Sequence, residues 1–192
     1  MEKKVIYRDR QELQDADLNN TQDWADEAQQ HFIRDAITTE RQFTGLTVTA
    51  HSVTELDIAP GRLYEGQSTG KVYALNTTQT ISIFSYLPLS DEKWLAVSAY
   101  GQEEETDLQP RDFLIDLQTG QTQPETVAMQ LKRTLVTHIA QGLESPTPEK
   151  PEPPTGYTLI AHVRLSASGI QEMIATIKHI AVRNFQTFFD SS

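Results

Sequence analysis

Glu103, Glu104 and Glu105, with Asp107 two places on, form a dense run of carboxylates beside Tyr100-Gly101. Two carboxylates whose surroundings push their pKa values apart can share acid and base work, so a hydrolase could be built on such a run. Adjacent acids on a loop instead stay solvated, and the run is expected to be a wet loop with no shifted group. The five histidines, His31, His51, His138, His162 and His179, fall into no His-x-x-x-His or His-x-His pair. Spacing therefore offers no metal site, and ordinary sheet or core positions are expected for them. Cysteine is absent, which removes disulfides, thiolate ligands and thiol nucleophiles together. No Gly-x-Ser-x-Gly elbow occurs, so the chain is expected not to be an enzyme, and no cofactor is expected.

Three further patterns have plainer explanations. Gly66-Gln67-Ser68-Thr69-Gly70-Lys71-Val72 is one residue short of a phosphate-binding loop, and valine stands where a metal-binding hydroxyl belongs. With no crossover helix after it, a hairpin turn is expected. Asp15-Ala16-Asp17-Leu18-Asn19-Asn20, with Asp26 at the twelfth place, is like a calcium loop, but asparagine replaces the glycine of the sharp turn. The same residues suit a helix start. Trp24 and Trp94, with Tyr64, Tyr73, Tyr86 and Tyr100, could stack on sugar rings, although core packing accounts for both tryptophans.

The elements that must position these residues change character along the chain. Leu18, Ala25, Ala28, Phe32, Ile33, Ala36 and Ile37, with Trp24 beside them, recur at steps of three and four, predicting a helix from Asp15 to about Thr39. After Phe43 the period becomes two. Leu46–Ala50, Val53–Ile58, Val72–Leu75, Thr80–Tyr86 and Trp94–Tyr100 read as strands, with a turn at Ala59-Pro60-Gly61. Phe113–Asp116 leads into a hairpin loop at Gln118-Thr119-Gly120-Gln121, and Val127–Leu131 and Thr134–Ile139 continue as strands. Five of the nine prolines lie between Pro146 and Pro154, where missing amides forbid a central strand and favour an extended crossing over one end of the sheet. Leu159–Leu165 returns as a strand. Ile170, Met173, Ile177, Ile180, Asn184 and Thr187 follow heptad-like steps that suit a short helix or stalk, while the β-branched residues also allow strand.

The expected fold is mainly β, a sandwich or twisted meander, with a long N-terminal α-helix and a short C-terminal helical or extended segment. Three regions follow: a helical docking segment over 1–40, a β-rich body over 41–168 that includes the proline-rich crossing at 145–154, and a docking or oligomerisation segment over 169–192. A net charge of -11 repels phosphate backbones, and no basic patch argues for nucleic acid. No apolar run reaches the roughly 18 residues of a membrane span, so no membrane insertion is expected. No apolar stretch follows Met1-Glu2-Lys3-Lys4, so no signal peptide is expected either.

Several blocks resemble the N-terminal attachment region of tailed-bacteriophage baseplate and tail-fibre proteins. They are Tyr7-Arg8-Asp9-Arg10-Gln11-Glu12-Leu13-Gln14 with Ala16–Asn20, and Ile58-Ala59-Pro60-Gly61-Arg62-Leu63-Tyr64-Glu65-Gly66. Arg111–Asp116 with Thr119-Gly120, and Gln141–Ser145 with the proline run and Ile160–Leu165, complete the pattern. The resemblance spans roughly Tyr7 to Ile174 and carries no catalytic residue. It implies a virion component of the tail or baseplate, assembled in the host cytoplasm, that forms a homotrimer and contacts other tail or baseplate proteins. A chain ending at Ser192 lacks room for a large receptor-binding tip, so an adaptor between baseplate and fibres is the expected role. The expected interface residues are Trp24, Phe32, Ile177, Ile180, Phe185, Phe188 and Phe189, the last three clustered where aromatics are seldom left in water. For Trp24 and Phe32, burial within one chain is the competing reading. The alternative function, from another class, is a small β-rich carbohydrate-binding module for bacterial surface glycan.

Overall fold

A computed structural model of the chain describes Lys4, Ile6 and residues 15–67 and 69–176. These are mainly β, with one long helix near the N-terminus. Helix α1 (Asp15–Phe32) runs into a π-helical turn at Ile33–Ile37, closed by the Thr38 amide donating to the Ile33 carbonyl. Ten strands follow. They are β1 (Arg41–Gly45), β2 (Val48–Ser52), β3 (Glu55–Ile58), β4 (Gly61–Glu65), β5 (Lys71–Leu75), β6 (Gln79–Ser82), β7 (Lys93–Asp116), β8 (Gln121–Gln141), β9 (Thr158–Ser166) and β10 (Gly169–Ala175).

Two sheets form, one of seven strands in the order β1-β4-β5-β8-β7-β9-β10 and one of three in the order β2-β3-β6. Neighbours are antiparallel except β5 and β8, which run parallel and meet at Ala74 and Thr134. Period-two alternation fills the space between the sheets. Leu56 and Ile58 of β3 and Ile83 just after β6 meet Leu63, Tyr73, Leu95, Val97, Leu135, Val163 and Leu165 in one core. Each fully buried aliphatic side chain there contributes roughly 1.5–3 kcal/mol of transfer free energy.

Several elements differ from the sequence reading. The strand expected over Thr80–Tyr86 ends at Ser82, and Phe84–Tyr86 form a 3-10 turn that leaves Phe84 exposed. The helix does not bury its apolar stripe as a stripe: Ile33 is buried, but Leu18 and Phe32 are exposed. The segment from Gly169 takes the extended alternative, because β10 pairs along β9 up to Ala175. Ile177, Ile180, Phe185, Phe188 and Phe189 lie outside the described residues. Of the Gly66–Val72 stretch, Lys71 and Val72 open β5, paired with Glu65 and Tyr64 of β4 across the connection between the two strands.

The proline-rich crossing leaves β8 and runs over β7 and β9. Lys150 Nζ lies 5.0 Å from the Trp94 ring centroid, and His162 Nε2 lies 3.0 Å from the Pro151 carbonyl oxygen. Farther on, Tyr157 packs on Tyr100 and His138, at ring-centroid distances of 4.6 and 5.0 Å. Proline's fixed backbone angle makes such a strap inexpensive to order. Its start is pinned by Glu144, whose carboxylate accepts from the amides of Leu89, Ser90 and Asp91. Those amides, that of Asp91 foremost, pull the Glu144 carboxyl down to about 2.

Candidate functional site

The feature that sets this chain apart is the hairpin of β7 and β8, of 24 and 21 residues. Among the described residues a third strand accompanies it only at its base: β9 pairs with β7 over Lys93–Ala99, and β5 touches β8 at Thr134. Beyond Glu103 and Arg133 the two strands pair only with each other among the described residues. At about 3.3 Å per residue this leaves a free two-stranded arm about 40 Å long. Pro110 and Pro124 sit within it. Each lacks an amide hydrogen, which a strand with a neighbour on one side tolerates and which blunts its edge against further pairing.

The root of the arm is an ion-pair cluster that joins four elements. Arg133 of β8 donates through both terminal nitrogens to the two Asp26 oxygens of α1, each at 2.6 Å, and through Nε to Glu103 Oε1 at 2.7 Å. Lys71 of β5 donates to Glu103 Oε2 at 2.6 Å. Hydrogen bonds from Arg133 hold the Asp26 carboxyl below its usual range, and those from Lys71 and then Arg133 do the same for Glu103. The Arg133 guanidinium is pushed up in turn, chiefly by Asp26. Two close backbone approaches seat the neighbouring elements. Gly101 lies under the Tyr73 ring, where a Cβ would stand 2.1 Å from it. Gly70, at φ +68°, lies against the Gln30 carbonyl of the helix.

This arrangement corrects the reading of the acidic run. Glu103, Glu104 and Glu105 lie in a strand and not on a loop, and Glu103 is shifted because two cations bind it. The shift is downward, toward a fixed anion, the opposite of what a general acid needs. Asp26 is likewise committed to Arg133, and Asp15–Asn20 are helical, so the calcium-loop geometry is not formed. Among the described residues no three His, Asp or Glu side chains gather as metal ligands. No helix of the described residues is long and apolar enough to cross a membrane.

Along the arm, large apolar side chains stand in water. Leu117 at the tip is 89% exposed and Leu108 69%, and Phe113, Leu114, Ile115, Met129 and Leu131 are exposed as well. Four residues beyond Glu103, Asp107 adopts a left-handed backbone at φ 58°, which aspartate tolerates better than most residues. Its carboxylate accepts from Gln109 Nε2, and Arg111 donates to Gln109 Oε1. Beside this kink lies a groove of ≈ 580 Å³ whose lining includes Glu105, Leu108, Val127, Met129 and Leu131.

The aromatic residues are differently placed. Trp94 is 7% exposed, with Lys150 and Arg164 over its ring and His162 against its edge, so it offers no open face to a sugar. Tyr73 is core. Of the residues expected at an interface, Trp24 is half-buried and Phe32 is 62% exposed. The sequence reading missed Arg133 and the length of the arm. Its available signal was the period-two run Val127, Met129, Leu131, whose continuation through Arg133 to Leu135 makes one strand of two. Comparison with protein families, curated proteins and solved structures finds no match.

Proposed function

We propose that the chain is a non-enzymatic structural component of a phage tail or baseplate, acting as a trimeric adaptor between baseplate and tail fibres. The phage assignment rests on the resemblance of the sequence blocks. The assembly role rests on one observation, the free arm with its exposed apolar side chains. An isolated two-stranded ribbon is at best marginally stable in water, and this many exposed large apolar side chains on one ribbon point to a partner. Among the described residues, the clustered acids Asp26 and Glu103 are held as anions by Arg133 and Lys71, which does not suit a general acid. The glycan-binding alternative loses its leading residue to burial, because Trp94 lies under the strap.

Light scattering after size exclusion tests the proposal. The expected mass is three times 21.7 kDa. A monomer at every concentration that also binds no tail protein of its phage would overturn it.

A further inference from the structure

We propose that the groove on the arm is covered by residues 177–192 of the same chain. The course of β10 carries the first part of the argument. β10 is antiparallel to β9 and β9 to β7, so β10 runs the same way as β7, toward the arm. Ala175 stands opposite Ala161, and Ala161 opposite Val97. One residue on, the Thr176 amide still donates to the Ile160 carbonyl, so the chain is still following the sheet at the last described residue. The face agrees as well. Met173 and Ala175 pair with β9 residues whose partners on β7 are Leu95 and Val97, both in the core. Leu135 lies on that same core face, and Leu131, Met129 and Val127 follow it at steps of two.

Reach and chemistry select the groove. Sixteen residues follow Thr176 in the sequence, and fully extended they span about 53 Å. Leu108 lies about 36 Å beyond Val97 along β7, and Leu117 at the tip about 66 Å beyond it. The groove is within reach of residues 177–192 and Leu117 is not, so the tip stays open to the partner of the assembly reading. Counted on in step with β7, Arg183 comes level with Glu105 and Phe185 with Asp107. The groove is lined by Leu108, Val127, Met129 and Leu131 with Glu105 as its one charge, and no cation is among its lining residues. Residues 177–192 offer the complement: Ile177, Ile180, Phe185, Phe188 and Phe189 are apolar, and Lys178 and Arg183 outnumber Asp190. An arginine can lay its stem along such an apolar wall and bring its charge to the carboxylate. The tip of a second arm, with Asp112 and Asp116, would instead bring like charge to Glu105. This inference is independent of the number of chains in the particle.

The absence of native cysteine permits a direct test. Met129→Cys in the groove and Leu114→Cys at the tip are each made in the full chain and reacted with iodoacetamide at several protein concentrations. Met129 is 44% exposed and Leu114 53%, so without a further cover the two thiols react alike. The groove thiol is expected to react at least about tenfold more slowly than the tip thiol in dilute protein, because the cover must open first. Adding Phe185→Asp and Phe188→Asp is expected to bring its rate up to that of the tip. Arg183→Glu is a milder variant that is expected to speed the groove thiol severalfold, and Glu105→Arg added to it is expected to restore protection. Equal rates at the two positions in dilute protein overturn the inference. A slow groove thiol that none of these substitutions speeds means a different cover and overturns it as well. Protection that appears only as concentration rises assigns the groove to a second copy and overturns the same-chain contact.

Discussion

Strand β7 is two different environments in one continuous element. From Trp94 to Ala99 every side chain is buried, with β8 on one side, β9 on the other, the core beneath and the proline strap above. From Glu103 to Asp116 the same strand keeps its β8 partner, but most of its side chains stand in water. The ladder of hydrogen bonds therefore does not decide burial. A third layer does, and among the described residues the arm has none. Leu95 and Leu114 are the same residue type in the same strand, and only the first is held by its surroundings.

Substitutions in the two halves should differ accordingly. Leu95→Ala, which empties a site with no solvent exposure, is expected to cost about 2–5 kcal/mol in urea denaturation. At the junction of the halves, Gly101→Ala forces a methyl into the Tyr73 ring and is expected to cost about 1–3 kcal/mol by the same measurement. Arg133→Met leaves Asp26 and Glu103 without their shared cation. After allowance for their partial exposure, a loss of about 1–2 kcal/mol is expected.

That last variant also has a pH signature. Asp26 and Glu103 have folded-state pKa values below their ordinary 3.8 and 4.5. Their contribution is complete above the ordinary values and is lost as pH falls through the depressed ones. Wild type should lose stability on acidification below about pH 5, and Arg133→Met should show a shallower fall in melting temperature over that range. His51 gives a smaller effect of opposite sign. The Asp57 carboxylate, 2.9 Å from its Nδ1, raises the His51 pKa above 6.5. Its contribution is present below 6.5 and lost as pH rises through the raised value, so His51→Gln should flatten a slight decline in melting temperature between neutral and mildly alkaline pH. Smallest of all, Leu114→Ala in dilute protein should change stability by no more than about 0.5 kcal/mol. A larger loss would mean that the tip already packs against something within one chain, and the division of the strand would fail.

The elements whose evidence is local could be read from the residues alone. Steps of three and four placed α1, period-two alternation placed β2, β3, β5, β6, β9 and parts of β7 and β8 but not β1 or β4, and Gln118-Thr119-Gly120-Gln121 marked the hairpin turn. These are properties of a few neighbouring residues and of backbone geometry. The same logic misread Glu103–Asp107 as a loop. Charged residues argue against a strand only when one face must be buried, and a ribbon wet on both faces has no such requirement. It also took the helix stripe as a whole for a packing face, whereas α1 is seated by Asp26 on Arg133 and by Gly70 under Gln30, with Leu18 and Phe32 left exposed. These points depend on contacts between residues far apart in the chain. The partner of Asp26 lies 107 residues away, and the cover of Trp94 comes from a strap more than fifty residues later in the chain. Periodicity tells which residues share a face. What lies opposite that face is set by the order in which the strands assemble, and for the arm no described residue of the same chain lies there.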